Sequence, residues 1–403
     1  MKDKKSITFT SLIYFIILTL FVVVRILGSI NIFNYSSTLL GNVIFTFIIQ
    51  IGLLFLLPFF AYKLYNKKKT KEVFKDFKAR TISSKAVWIS IGIGILVFIL
   101  NIFISTFFNG IISFFGYSSN SGSSGGSQVE TYSLSAFFIN ILLVCILPAL
   151  CEEFTHRGFL LNGYKKLGNK SAIMYSALFF GLLHLNIEQF FYATIIGLIL
   201  GFITVMSDSI YPAMIVHFMN NFINVYLEFA RINKLPFGNA TEVIVNFFSE
   251  GSVLLNVLFI ILTLALIVYL LVYLITCLFS ETKVKNLNNV TKSMALKQLK
   301  SDFMKDFNIE VEQNLTDEEK EFVEILKDNN VKFETKIMDV PTDIYQNKNI
   351  NVRPVITLPI EKVFNMYTKD SGYKRSWIEN LFLYSSIFLG AIITFFTFIW
   401  GIL

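Results

Sequence analysis

Pro148-Ala149-Leu150-Cys151-Glu152-Glu153-Phe154-Thr155-His156-Arg157 decides how this chain is read. The run from Leu134 to Leu150 carries no charge, and two carboxylates and a guanidinium then follow inside what should be the same helix. An ionisable group within a bilayer costs roughly 2.5–3.5 kcal/mol on insertion scales, so a chain that keeps two adjacent acids there has a use for them. The chain has only 3 histidines, His156, His184 and His217, and the last two fall inside later apolar runs. Acids and histidines set into membrane-embedded helices point to chemistry.

The composition around this stretch is that of a polytopic membrane protein: 403 residues, 54% hydrophobic, 44 of them Phe, with a mean hydropathy of +0.61. A span needs about 20 mostly apolar residues to cross roughly 30 Å of hydrocarbon. Nine runs qualify as candidates: 8–27, 41–63, 87–108, 134–155, 171–187, 189–206, 210–228, 253–279 and 381–402. The expected fold is therefore all-α, a transmembrane helical bundle of about eight core spans plus one C-terminal span. The fifth to seventh runs are short and punctuated by Asn186, Asp208 and Pro212, which makes them the most suggestive of function. The first apolar run is longer than a signal-peptide core and lacks a clear small-x-small cleavage site, so it reads as a span. Cys145, Cys151 and Cys277 lie in or beside spans at spacings that suggest neither a zinc knuckle nor a disulfide set.

A net charge of +7 is no nucleic-acid signal here, because the cations sit in particular loops. Lys67, Lys68, Lys69, Lys71, Lys75, Lys78 and Arg80 crowd the loop 63–85, which the positive-inside rule places in the cytoplasm. Lys2, Lys4 and Lys5 put the N-terminus on the same side. The Gly/Ser-rich stretch within 109–133 reads as a flexible external linker. The expected location is the cell membrane, multi-pass, with the N-terminus cytoplasmic. Three regions follow: a transmembrane domain over 1–280 with its motif core at 130–230, a polar cytoplasmic segment over 281–380, and a C-terminal helix over 381–403. Within the polar segment, Thr316 and Glu319 form a capping-box pattern ahead of a short helix near 317–328, and 355–360 reads as a strand or an extended stretch. The segment reads equally as a small domain or as a tether.

Spacing ties the polar residues together. Glu152 lies 16 residues before Gly168, the centre of the expected turn, and His184 lies 16 residues after it. In an antiparallel helical hairpin both would stand at one depth, about 24 Å from the turn. His217 and Asn221 share a helical face, as do Phe180 and His184, and Glu153 and Arg157. His156 projects from another face and reads as a residue of the cytoplasmic-side interface. Glu188 and Asp208, at span junctions, read as solvated turn charges.

These residues resemble the CPBP family of intramembrane proteases, also called the CAAX protease or Abi family. Its Glu-Glu-x-x-x-Arg motif is matched by Glu152, Glu153 and Arg157, its Phe-x-x-x-His by Phe180 and His184, and its His-x-x-x-Asn by His217 and Asn221. The resemblance covers 130–230 closely; 281–403 looks outside the family core. It implies an endopeptidase in which Glu152 and His184 activate a water, His217 and Asn221 stabilise the oxyanion, and Glu153, Arg157 and Phe180 support the site. A zinc ion held by Glu152, His184 and His217 is the metal-dependent variant of the same chemistry. The implied partners are membrane lipid and a peptide or protein substrate. Family members named for lysostaphin resistance add an alternative: a non-proteolytic scaffold acting on a cell-envelope protein partner.

Overall fold

A computed structural model describes residues 5–29, 39–117, 132–250, 252–284, 337–338, 353–354 and 372–402. The expected helix near 317–328 and the expected strand over 355–360 lie outside the described residues. The helices in chain order are α1 (Lys5–Ser29), α2 (Leu39–Asn66), the short α3 (Thr70–Asp76), α4 (Ser84–Phe114), α5 (Leu134–Leu167), α6 (Asn169–Leu183), α7 (Ile187–Ser207), α8 (Tyr211–Ile232), the short α9 (Ala240–Ser249), α10 (Val253–Phe279) and α11 (Trp377–Ile402). Every apolar run singled out in the sequence forms a helix, and the protein is a polytopic helical bundle.

Among the described residues, seven helices are long and apolar enough to cross a membrane. The exceptions among the nine runs are α6 and α8. With 15 residues, α6 reaches only about 22 Å, and α8 carries His217, Asn220, Asn221 and Asn224 among its apolar residues. The two helices least suited to span alone bring His184 and His217 into the bundle. They are shielded by neighbours: α6 packs along α7, α8 along α4, and the apolar core joins α4, α7, α8 and α10 through Ile93, Val97, Ile196, Leu200, Val216 and Leu271. A Cβ added at Gly197 of α7 would stand 3.0 Å from the Ala177 backbone of α6, so small residues set that close approach.

Two prolines reshape the helices that carry the acids. Pro58 and Pro148 follow π-helical stretches at Ile48–Leu56 and Ile141–Ile146. Proline has no N–H for the carbonyl four residues back. In α2 that carbonyl is Leu54, which accepts from the Thr155 hydroxyl instead. In α5 it is Val144, which accepts from Asn221 Nδ2 at 2.9 Å. Both broken rungs are thus filled from the motif segment, which locks α2 and α8 in register with α5.

The loop between α3 and α4 is docked on the α7–α8 turn. Asp208 pairs with Lys78 at 3.0 Å and with Arg80 at 2.5 Å, its side chain only 16% exposed. Ile210 N donates to Lys78 O at 3.0 Å and Ser209 Oγ to Arg80 O at 2.6 Å. This corrects the reading of Asp208 as a solvated charge: it anchors the basic loop.

The chain divides into two compact units, Met1–Leu278 with Asp370–Leu403, and Phe279–Lys369. Helix α11 belongs to the first unit and packs on α1 and α6. Thr397 Oγ1 accepts from Ile187 N at 3.1 Å, and a Cβ at Gly390 would stand 2.9 Å from Leu182 Cβ. The C-terminal helix therefore braces the turn after His184, where Leu185 holds φ +49°. In the second unit, Ile337–Met338 and Arg353–Pro354 pair as a two-residue antiparallel ladder.

Candidate active site

Glu153 is the hinge of the arrangement. Fully buried, it lies 3.1 Å from Arg157 Nε and accepts from His217 Nδ1 at 2.9 Å. The Arg157 contact is an ion pair without hydrogen-bond alignment, since neither Arg157 Nε nor Glu153 Oε2 has a hydrogen-bond partner among the described residues. Arg157 is enclosed on all sides. Its Nη2 donates to Gly197 O at 3.1 Å on α7, and its guanidinium lies 4.5 Å above the Phe180 ring of α6. A cation over a desolvated ring is stabilised by about 2 kcal/mol. One buried side chain thus ties α5, α6 and α7 around the site.

Phe180 is surrounded by all three histidines, edge to face: His156 and His184 with centroids at 5.2 Å and His217 at 5.5 Å. His156 is not an interface residue but fully buried, its Nδ1 2.8 Å from Glu152 O one turn back. Each ring faces an acceptor through Nδ1. For His184 it is Phe180 O at 2.9 Å, and for His217 the Glu153 carboxylate. Carbonyl and carboxylate oxygens only accept, so both rings carry a proton on Nδ1, and each neutral ring presents a lone pair at Nε2.

Glu152 and His184 stand between two cavities. One, about 270 Å³, is lined by Glu152, Phe180, His184, His217, Asn220 and Asn221 together with Pro148 and Tyr192. The other, about 310 Å³, is lined by Arg25, Thr46, Gln50, Glu152, His184 and Gln189 with apolar neighbours. The four residues expected to act in catalysis are therefore gathered on one chamber, and the equal-depth estimate for Glu152 and His184 agrees with their sharing both. Asn221 belongs to an amide chain: Asn220 Nδ2 donates to Asn221 Oδ1 at 3.1 Å, and Asn101 Nδ2 reaches Asn220 Oδ1 at 3.4 Å. Among the described residues no three His, Cys, Asp or Glu side chains are gathered as metal ligands. Glu152, His184 and His217 line the same chamber, and with both Nδ1 atoms engaged by oxygen acceptors the two rings are left with Nε2 for chemistry.

Sequence reasoning missed Gln50, whose Nε2 donates to Glu152 Oε1 at 2.9 Å. The signal was there: Asn42, Thr46 and Gln50 recur every four residues through an otherwise apolar run, a polar stripe on one helical face. Asn101, solitary between Ser90 and Ser105 in α4, was legible in the same way.

The Pro148 rung offers a test of the site's construction. Pro148→Ala returns an N–H to Val144 O, which then competes with Asn221 for that acceptor. If the chamber is catalytic, its turnover should fall about tenfold, the size of one hydrogen bond, with no loss of thermal stability in detergent. An unchanged turnover would show that Asn221 is placed by other contacts.

Fold and site together define a multi-pass membrane protein with a polar, charged chamber enclosed by its helices. The family comparison goes further. Residues 134–223 match the family model of type II CAAX prenyl endopeptidase Rce1-like proteins, in line with the CAAX protease family that the three motifs resemble. The match spans every motif residue from Glu152 to Asn221. No curated protein and no solved structure matches the chain.

Proposed function

We propose that this protein is an intramembrane endopeptidase that hydrolyses a peptide bond by a water activated between Glu152 and His184. The observation that carries the reading is the gathering of Glu152, His184, His217 and Asn221 on one 270 Å³ chamber. A water donating one hydrogen to the Glu152 carboxylate and the other to His184 Nε2 turns its lone pairs towards a carbonyl carbon placed in the chamber. The new O–C bond forms as Glu152 takes the proton, and the carbonyl oxygen becomes an oxyanion. Asn221 Nδ2 keeps a second N–H beyond the one given to Val144, and that N–H is available to the oxyanion. With its Nδ1–H given to Glu153, His217 donates through Nε2 only when its ring carries both protons. Collapse then breaks the C–N bond, and Glu152 returns the proton to the leaving amine. Each donor aimed at a developing oxyanion contributes about 2.7–4 kcal/mol in soluble hydrolases.

In this reading the N-terminus and the basic loop around Lys78 and Arg80 face the cytoplasm, and the substrate is a peptide or protein segment at the membrane. The test is turnover of a peptide library by the full-length protein in detergent, wild type against Glu152→Ala. The wild type should cleave and the variant should not. The reading also makes the reaction independent of added metal. Turnover should survive exhaustive dialysis against a chelator; loss of activity restored by zinc would replace the glutamate mechanism by a metal-dependent one.

A further inference from the structure

The second cavity is the part of the site that the motifs leave unexplained. It shares Glu152, His184 and Gln189 with the first chamber but not His217 or Asn221, and beyond Glu152 and His184 its polar groups come from α1, α2 and α7. Beyond Glu152 and His184 themselves, only Gln189 of its polar lining falls inside the matched segment 134–223. Gln50 is the group that joins this cavity to the chemistry. Its side chain is 92% buried, being 8% exposed. The amide orientation is fixed by chemistry: only Nε2, the donor end, can face the Glu152 carboxylate at 2.9 Å. Oε1 is left over, buried and without a hydrogen-bond partner among the described residues. A buried carbonyl oxygen left unpaired costs about 1–3 kcal/mol, so this one calls for an N–H that arrives from elsewhere.

We propose that Gln50 is a substrate-binding and positioning residue, its Nε2 orienting Glu152 while its Oε1 accepts a backbone N–H of an extended peptide lying in the 310 Å³ cavity. A peptide backbone fits this requirement because it presents an N–H at every residue and needs no particular side chain. The cavity then holds one flank of the substrate and the His217–Asn221 chamber holds the scissile carbonyl, with Glu152 and His184 between them. The two ends of one amide couple binding to chemistry: the acceptor is filled only when substrate is present, and the donor fixes the carboxylate at that same moment. Leu54, one turn beyond Gln50, accepts from Thr155 through its backbone carbonyl, so a second bond holds the two helices in register.

This proposal rests on the endopeptidase reading, and the experiment separates the two. The full-length protein in detergent is compared with Gln50→Leu, which removes both ends of the amide, and with the isosteric Gln50→Glu, which keeps an acceptor and loses the donor. Substrates are a cleavable peptide and a series in which each backbone N–H in turn is replaced by an ester oxygen. Gln50→Leu should raise KM and lower kcat, each by about tenfold. Gln50→Glu should keep KM near wild type and lose kcat. For wild type, ester replacement at one position alone should raise KM about tenfold, and Gln50→Leu should lose that discrimination while retaining every other preference. A merely structural Gln50 predicts uniform losses across the ester series, and that result overturns the proposal. If wild type cleaves no peptide, the endopeptidase reading fails by itself. Binding of the same ester series, measured by fluorescence anisotropy, still decides Gln50: one position sensitive in wild type and insensitive in Gln50→Leu supports it, and no such position overturns it.

Discussion

Glu152→Gln lowers peptide turnover by about 10²–10⁴-fold, the range that a positioned general base contributes, while leaving the fold intact. The substitution is isosteric, and its carbonyl oxygen still accepts from Gln50 Nε2, so the 2.9 Å contact survives. What it removes is the capacity to take a proton from water. His184→Ala should fall by a similar factor, because in the proposed mechanism its Nε2 takes the other hydrogen of the same water. The double variant should be little worse than the worse single, since groups acting on one molecule as a unit are not additive. The measurement is kcat/KM for a cleavable peptide, with the unfolding temperature as a control for folding. Turnover equal to wild type in Glu152→Gln would dismiss the assigned base. A complementation assay addresses the non-proteolytic alternative. If Glu152→Ala and His184→Ala both restore function to a deletion strain while removal of 281–403 does not, the chain acts as a scaffold.

The all-helical bundle was legible because hydrocarbon demands satisfied backbone, and apolar runs of span length leave few alternatives to a helix. The convergence of Glu152 with His184 was legible for a similar reason, since a hairpin with a short turn fixes equal depths by counting residues. What counting could not reach is lateral arrangement. Gln50 lies 102 residues from Glu152, and nothing local to α2 reveals which helix it will face. The role of the prolines was hidden for the same reason. Pro58 and Pro148 announce a broken rung in the sequence, but the donor that fills it comes from another helix in each case. Asp208 misled because turn charges in loops are usually hydrated, whereas here Lys78 and Arg80 approach from a loop 128 residues earlier in sequence. His156 misled because α-helical angles place it away from Arg157. In the structure the Phe180 ring of α6 packs against both side chains, so His156 is drawn into the same buried cluster.

The largest effect on stability is expected at Arg157. Removing one partner of a buried ion pair leaves the other charge unsolvated, at a cost of about 3–5 kcal/mol. Arg157→Leu should therefore lower the unfolding free energy in detergent by that amount, because Glu153 is fully buried and would retain His217 as its partner among the described residues. Arg157→Lys should recover little. An ammonium offers neither the planar face that lies over Phe180 at 4.5 Å nor the reach to Gly197 O. The informative variant is the double one. Glu153→Leu with Arg157→Leu removes both charges, so most of the lost stability should return, as it does when buried pairs are replaced by apolar groups of similar volume. Activity should not return with it, because His217 Nδ1 then has no carboxylate to hold its tautomer and ring orientation. Stability and turnover are thereby separated: the Arg157 charge serves the fold by balancing Glu153, and Glu153 serves the site by aiming His217. A double variant that regained full turnover would show that His217 is held by the Phe180 edge contact alone.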